Sequence, residues 1–202
     1  MIAFPNTFIG QGLFFLMKAL LLILPIFWIF CVDKQSLSLS KPQQGGFVTS
    51  GMIGILISII ILGVYLLLGE YLIDTTLIQS KMQEIGLATR GAYIFAAAYW
   101  ILINSVLEEY VWRWFVVQQA EKMIGSSGAI LIAAIGFTLH HVLALQLYFN
   151  WVAVFLCAIG IFVGGAIWSW CYIRYRSIWP CYLSHAIVDL AIFGIAYKIL
   201  FA

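Results

Sequence analysis

Six apolar stretches, each long enough to cross a bilayer, lie near residues 8–32, 48–69, 91–118, 128–148, 151–173 and 180–201. A hydrocarbon core about 30 Å thick takes about 20 apolar residues per helix. A backbone placed there must satisfy its own hydrogen bonds, which leaves helices or closed barrels. The pattern predicts an all-α, polytopic membrane bundle of about six transmembrane helices. Only 9% of the 202 residues are charged and 64% are hydrophobic, whereas soluble domains carry about a quarter charged residues. The first stretch holds Lys18 and Pro25 and is expected to be tilted, kinked or interfacial. It is too long for a signal peptide and has no charged n-region or cleavage site, so it is expected to be retained.

Polar segments punctuate the spans. Asp33 to Gly46 reads as a solvated loop. From Asp74 to Arg90, Leu77, Ile78, Met82, Ile85 and Gly86 recur at helical spacing among polar residues, which predicts a surface amphipathic helix. Gly125-Ser126-Ser127-Gly128 and Arg174-Tyr175-Arg176-Ser177 mark turns. The expected organisation is one integrated membrane domain, with N-terminal helices and the interfacial helix in 1–90 and a four-helix core in 91–202. Lys34, Lys41, Lys122, Arg174 and Arg176 collect on one side, against Lys81, Arg90 and Lys198 on the other. The first side is therefore expected to be cytoplasmic, with both termini outside. The net charge of +2 comes with no basic run, so nothing points to nucleic acid. Cys31, Cys157, Cys171 and Cys181 show no paired spacing and read as packing residues rather than a disulfide or metal set.

Few ionisable residues stand inside the spans: Glu108, Glu109, Arg113, His140, His141, His185 and Asp189, with Lys18 and Lys198 nearer the ends. A charge in hydrocarbon costs several kcal/mol unless paired or wetted, so each is a functional-site candidate. Glu109 and Arg113 are four apart and share a helix face as an ion pair. Glu108 is turned about 100° away and shares its face with Asn104. Phe137 and His141 share a face from which His140 turns, so His140 is expected to be lipid-facing or packed. His185 and Asp189 are also four apart. Counted from the expected cytoplasmic ends, His185 lies about 10 Å deep, Glu108 about 15 Å and His141 about 20 Å. Three helices thus bring a carboxylate and two imidazoles toward one level.

Such a set suits hydrolysis. The carboxylate takes a proton from water, one imidazole holds that water, and the other donates to a developing oxyanion. The same residues could instead ligate a divalent ion whose water is the nucleophile. No His-Glu-x-x-His pattern is present. Buried Glu, His and Asp also line proton paths, but no inverted repeat of the transporter kind is visible. The tryptophans and tyrosines Tyr99, Trp100, Trp112, Trp114, Trp168, Trp170 and Trp179 read as packing or interfacial-belt residues. Gly160, Gly164 and Gly165 suggest close helix packing within the bundle.

Glu108-Glu109-x-x-x-Arg113, Phe137-x-x-x-His141 and His185-x-x-x-Asp189 resemble, in order and separation, the three motifs of the CPBP intramembrane proteases. That family groups CAAX prenyl proteases with bacteriocin-processing and self-immunity proteins. The resemblance covers about 90–200 and implies a four-helix catalytic core. It implies that Glu108 activates water, that His141 works with it and that His185 stabilises the oxyanion. Asp189 falls where the best-understood relatives have asparagine and others aspartate; it could orient His185, carry a proton or help bind a metal. Glu109, Arg113 and Phe137 match structural motif positions. The implied activity is a glutamic-type intramembrane endopeptidase without a cofactor. The alternative is one divalent metal such as zinc on Glu108, His141, His185 and Asp189. Non-proteolytic immunity or binding on the same fold, and proton-coupled transport, are the competing functions. The expected partners are the lipid bilayer and a membrane-associated peptide or protein, lipidated or a precursor. The expected location is the cell (inner) membrane, with the site toward its cytoplasmic half.

Overall fold

The structure is a computed structural model that describes residues 19–34, 36 and 40–202. The described residues before Ser40 belong to a small unit, separate from the larger one, Ser40–Ala202. The small unit holds an apolar helix, α1 (Ala19–Val32), whose last turn is wound as a π-helix and closed by Asp33 N–H donating to Trp28 O at 3.0 Å. Pro25 lies within α1; Lys18 and part of the Asp33–Gly46 loop lie outside the described residues.

The larger unit is all helix. In order it comprises α2 (Phe47–Leu72), α3 (Thr75–Glu84), α4 (Arg90–Tyr99), α5 (Ser105–Glu109), α6 (Gln118–Leu145), α7 (Trp151–Tyr175) and α8 (Ile178–Phe201). Two π-helical segments, Trp100–Asn104 and Tyr110–Val117, join α4 to α5 and α5 to α6 without a break. The described residues hold four helices long and apolar enough to cross a membrane: Phe47–Leu72, Arg90–Leu145, Trp151–Tyr175 and Ile178–Phe201. The sequence suggested six spans. The third and fourth are the two arms of the 56-residue run, which turns back at Gly125 (φ 73°, ψ 174°), and the start of the first lies outside the described residues. A positive φ of this kind suits a residue without Cβ. The reversal lays Gly136 against the Trp112 ring and lets Ser126 donate to Glu121 at 2.8 Å.

The amphipathic segment condenses to α3. Asp74 caps it by accepting from the Thr76 and Leu77 amides at 3.1 and 3.0 Å, satisfying two of the free donors of its first turn. The Thr76 hydroxyl also donates to Asp74 and holds its carboxyl below the ordinary carboxylate range. Ile78 is buried while Thr75, Thr76, Gln79, Ser80, Gln83 and Glu84 stay exposed, and Gln79 Nε2 reaches Ile199 O at 3.2 Å.

The two ends of the larger unit carry different contacts. At one, Ser177 Oγ donates to Ser40 O (2.6 Å), Ile178 N–H donates to Ser40 Oγ (2.9 Å) and Arg176 pairs with Glu121. At the other, Arg90 Nη2 reaches Phe201 O at 3.4 Å and Lys198 lies 5.8 Å from the Tyr65 ring centroid. The turn before Pro180 falls where the sequence puts it, with Arg176 at φ 51° and Ser177 capping α8.

α2 runs beside α8 along a seam of Ser50, Gly54 and Ser58, four residues apart and all buried. At Gly54 a Cβ would come within 2.8 Å of Ser184 O, so only glycine allows this approach. α6 and α7 meet in the same way at Gly165, whose Cβ would stand 3.2 Å from the Phe137 ring. Of the three glycines read as a packing motif, Gly164 and Gly165 are buried, whereas Gly160 is exposed with nothing against it. All four cysteines are free, and Cys171 and Cys181 fill the interior as expected.

Candidate active site

Glu108 is the hub on which α5, α6 and α8 converge. Its Oε1 accepts from Asn104 Nδ2 at 2.7 Å and stands 3.8 Å from His140 Nε2. Its Oε2 stands 3.8 Å from His141 Nε2 and 3.9 Å from His185 Nε2. The three helices therefore bring Glu108, His141 and His185 together, as their spacing and depth suggested.

Side-chain exposure grades across the cluster. His140 and His141 are 27% and 28% exposed, Glu108 13% and His185 5%. The α6 histidines are the most open members of the cluster and His185 the most enclosed, with Asp189 between them at 18%. His141 Nδ1 lies 2.9 Å from Phe137 O. A carbonyl only accepts, so Nδ1 carries the hydrogen there and the neutral ring keeps a lone pair on Nε2, facing Glu108.

His140 departs from expectation. It was expected to turn to lipid or packing, but its Nε2 faces the same carboxylate. Adjacent helical residues point about 100° apart, and the Glu108 carboxylate lies between the two rings so that each oxygen meets one of them. Trp112 lies 6.4 Å from the His140 ring, centroid to centroid.

Behind His185 lies a buried layer. His185 Nδ1 is 2.8 Å from Glu109 Oε1, and Glu109 Oε2 is 3.3 Å from Arg113 Nε, both side chains having no exposure. The expected Glu109–Arg113 pair is present, yet Glu109 does more than pair: it also holds the imidazole. The Arg113 guanidinium lies 4.5 Å from the Phe137 ring centroid and 5.4 Å from that of Trp168, and its nitrogens make no hydrogen bond among the described residues. Aromatic faces thus supply much of its surroundings, by cation–π attraction. Trp168, read from sequence as packing or belt, stacks on His185 at 4.3 Å and 19°. Its Nε1 donates to Ser184 Oγ at 3.0 Å, which fixes the ring.

Asp189 faces the cluster one turn along α8. Its Oδ1 is 3.6 Å from His185 Nε2, and its Oδ2 is hydrogen-bonded to Ser105 Oγ at 2.6 Å. Ser105, which the motif frame does not single out, also bonds to Trp100 O at 2.9 Å. It sits where the first π segment returns to α-helix. π-turns inside α-helices are frequent at functional sites, and here two of them flank the residues that carry Glu108 and Glu109. The donor set of the metal alternative, Glu108, His141, His185 and Asp189, is drawn together here, with contacts of 3.6–3.9 Å along it. Among the described residues no group of three or more His, Cys, Asp and Glu side chains could hold an ion.

Residues 89–191, just over half of the chain, match the family model of the type II CAAX prenyl endopeptidases, Rce1-like. The chain belongs to this family. No curated protein and no solved structure matches it. The matched span opens at Thr89, the cap of α4, and closes just past Asp189. It therefore takes in every residue of the cluster and leaves α2 outside. Membership supports protease activity on a peptide or protein at a membrane, and the four long apolar helices agree with an integral membrane protein.

Proposed function

We propose that the protein is an intramembrane endopeptidase in which Glu108 and His141 activate water and His185 stabilises the oxyanion. The observation that carries the reading is the Glu108 carboxylate held between the imidazoles of two other helices, at 3.8 and 3.9 Å. Polar groups at such a separation suit bridging by one water. Glu108 Oε2 and the His141 Nε2 lone pair would each accept one hydrogen of that water, turning its oxygen lone pair toward a substrate carbonyl. As the new C–O bond forms, one water proton passes to Glu108 and the carbonyl electrons move onto oxygen. His185 Nε2–H donates to that oxyanion, which requires the imidazolium form because Nδ1–H is engaged by Glu109. Collapse breaks the C–N bond, and Glu108 returns the proton to the leaving amine.

Removing one oxyanion donor costs about 10²–10³ in turnover, and removing a general base about 10²–10⁴. Glu108→Gln and His141→Ala are expected to abolish measurable cleavage of a membrane-anchored peptide in proteoliposomes, with the melting temperature kept. Unaltered cleavage in either variant would sink the mechanism. The substrate reading is a peptide or protein held at the bilayer, lipidated or a precursor. Peptides accumulating in host membranes that carry Glu108→Gln would identify it. Orientation with the site in the cytoplasmic half follows from the lysine and arginine asymmetry. Cysteine labelling at Lys41 and Lys81 positions in intact cells tests it.

A further inference from the structure

We propose that Asn104 is a positioning residue of the site: its amide holds Oε1 of Glu108, which leaves Oε2 as the oxygen that takes the proton from water. The inference rests on the protease reading for its purpose and on the geometry around Glu108 for its substance.

The two carboxylate oxygens stand in different surroundings. Oε1 accepts from Asn104 Nδ2 at 2.7 Å, the one direct hydrogen bond that Glu108 makes among the described residues. A carboxylate only accepts, so the amide nitrogen and not the amide oxygen faces it. The length is that of a hydrogen bond to a charged acceptor. His140 Nε2 lies farther from the same oxygen, at 3.8 Å. Oε2 instead faces His141 Nε2 and His185 Nε2 at 3.8 and 3.9 Å, beyond direct hydrogen bonding and within reach of a bridging water. One oxygen is fastened, and the other looks across a gap one water wide.

Asn104 is a costly residue for its place. It is 4% exposed and follows the apolar run Trp100-Ile101-Leu102-Ile103. Asparagine is a poor helix former, and a buried amide is expensive unless it is hydrogen-bonded. Leucine, close to it in size, would fill the same space without either cost.

The local backbone aims the amide. Asn104 is the last residue of the first π segment, whose turn is closed by the Ser105 N–H donating to Trp100 O. From Ser105 the chain is α-helical through Glu109, so Asn104 and Glu108 lie four apart on one face. The wider turn ends at the donor, and the tighter one carries its acceptor.

The consequence is functional. The Glu108 carboxylate cannot turn about its Cγ–Cδ bond without giving up this hydrogen bond. Its free oxygen is therefore kept at one distance from His141, where the attacking water has to sit.

Infrared difference spectroscopy of the purified full chain in nanodiscs reads the contact without any substrate. Wild type minus Glu108→Gln isolates the vibrations of the Glu108 carboxyl. The same difference taken in an Asn104→Leu background should show them shifted. Unshifted bands overturn the proposal, even where cleavage is normal. Turnover of a membrane-anchored peptide in proteoliposomes is the second arm. Asn104→Leu should lower kcat about 10–100-fold, as misplacement of a reacting group does, with KM changed by less than about twofold. Asn104→Gln, which keeps the amide, should turn over several-fold faster than Asn104→Leu. Wild-type kcat in the leucine variant, or a glutamine variant no faster than it, overturns the positioning role. Should the leucine variant fail to fold, Asn104→Ser against Asn104→Ala makes the same comparison in smaller side chains. The serine variant is then expected to be the faster, and equal rates overturn the role. An inactive wild type would count against the protease reading, while the infrared shift still decides the contact.

Discussion

Glu109→Gln isolates the buried layer beneath the site. Glu109 and Arg113 have no exposed side-chain surface and their charged atoms are 3.3 Å apart. At an effective dielectric of about 20, that separation corresponds to about 5 kcal/mol of attraction. Breaking a buried pair by removing one partner typically costs about 3–5 kcal/mol, because the other charge is left uncompensated. Among the described residues Arg113 forms an ion pair with Glu109 alone, and its guanidinium lies over the rings of Phe137 and Trp168. For a chain of this size about 1 kcal/mol moves the melting temperature by about 2–4 °C. Glu109→Gln is therefore expected to lower it by about 10 °C, read by intrinsic fluorescence in nanodiscs. Removing both charges with Glu109→Gln and Arg113→Met should return most of the stability, since an apolar replacement of a buried pair is often neutral or better. Turnover should not return with it, because His185 Nδ1 then lacks the carboxylate that holds it. A melting temperature unchanged in Glu109→Gln would refute the pair as a structural element. Full activity in the double variant would refute the role of Glu109 in holding His185.

Three further outcomes follow from the geometry. If Glu108 and His141 activate water without a metal, as proposed, cleavage should survive exhaustive chelation; loss of activity that zinc restores would reject the metal-free mechanism. At Gly165 a leucine would drive α7 into Phe137 and Ala134 and cost about 1–3 kcal/mol by overpacking, so a variant as stable as wild type would contradict the close approach. The Asp74 cap has a depressed folded-state pKa, so its contribution is fully present above the ordinary carboxylate pKa and is lost as pH falls through the lower folded value. Protection of the Thr76 and Leu77 amides, taken relative to the intrinsic exchange rate at each pH, should fall on acidification in wild type and be low at all pH values in Asp74→Ala; equal protection in the two proteins would remove the cap from the account.

Much of the site could be read before the fold was seen, for a physical reason. In a chain with so few charges, each ionisable group inside an apolar run needs a partner, and groups of opposite character find one another. Glu108, His141 and His185 were brought together by that logic joined to their depth and to the motif order, and Glu109 pairs with Arg113 by simple i, i+4 spacing. What escaped depended on features that a 3.6-residue period cannot carry. The π segments at Trp100–Asn104 and Tyr110–Val117 shift the phase of every residue beyond them, so the faces assigned around α5 are only locally valid. His140 was read as lipid-facing or packed because a helical wheel knows nothing of a carboxylate entering between two neighbouring side chains. Ser105 and Trp168 gave no signal, as a serine and a tryptophan are unremarkable in a membrane helix until their partners are known. Gly125 was recognised as a turn between two spans, and it is there that the chain reverses.

That reversal has a consequence for how the site is dimensioned. Glu108 lies seventeen residues before Gly125 and His141 sixteen after it, on two arms that fold back on each other. The meeting of acid and base is thus a matter of equal lengths measured from one hinge, as with the two legs of a pair of compasses. Adding or removing a single residue on either leg would displace one partner by about 1.5 Å along the axis and swing it about 100° around it. Residues between the hinge and the site can change in kind, since several face outward, but they cannot easily change in number. The chemistry is held in place by a count as much as by any contact.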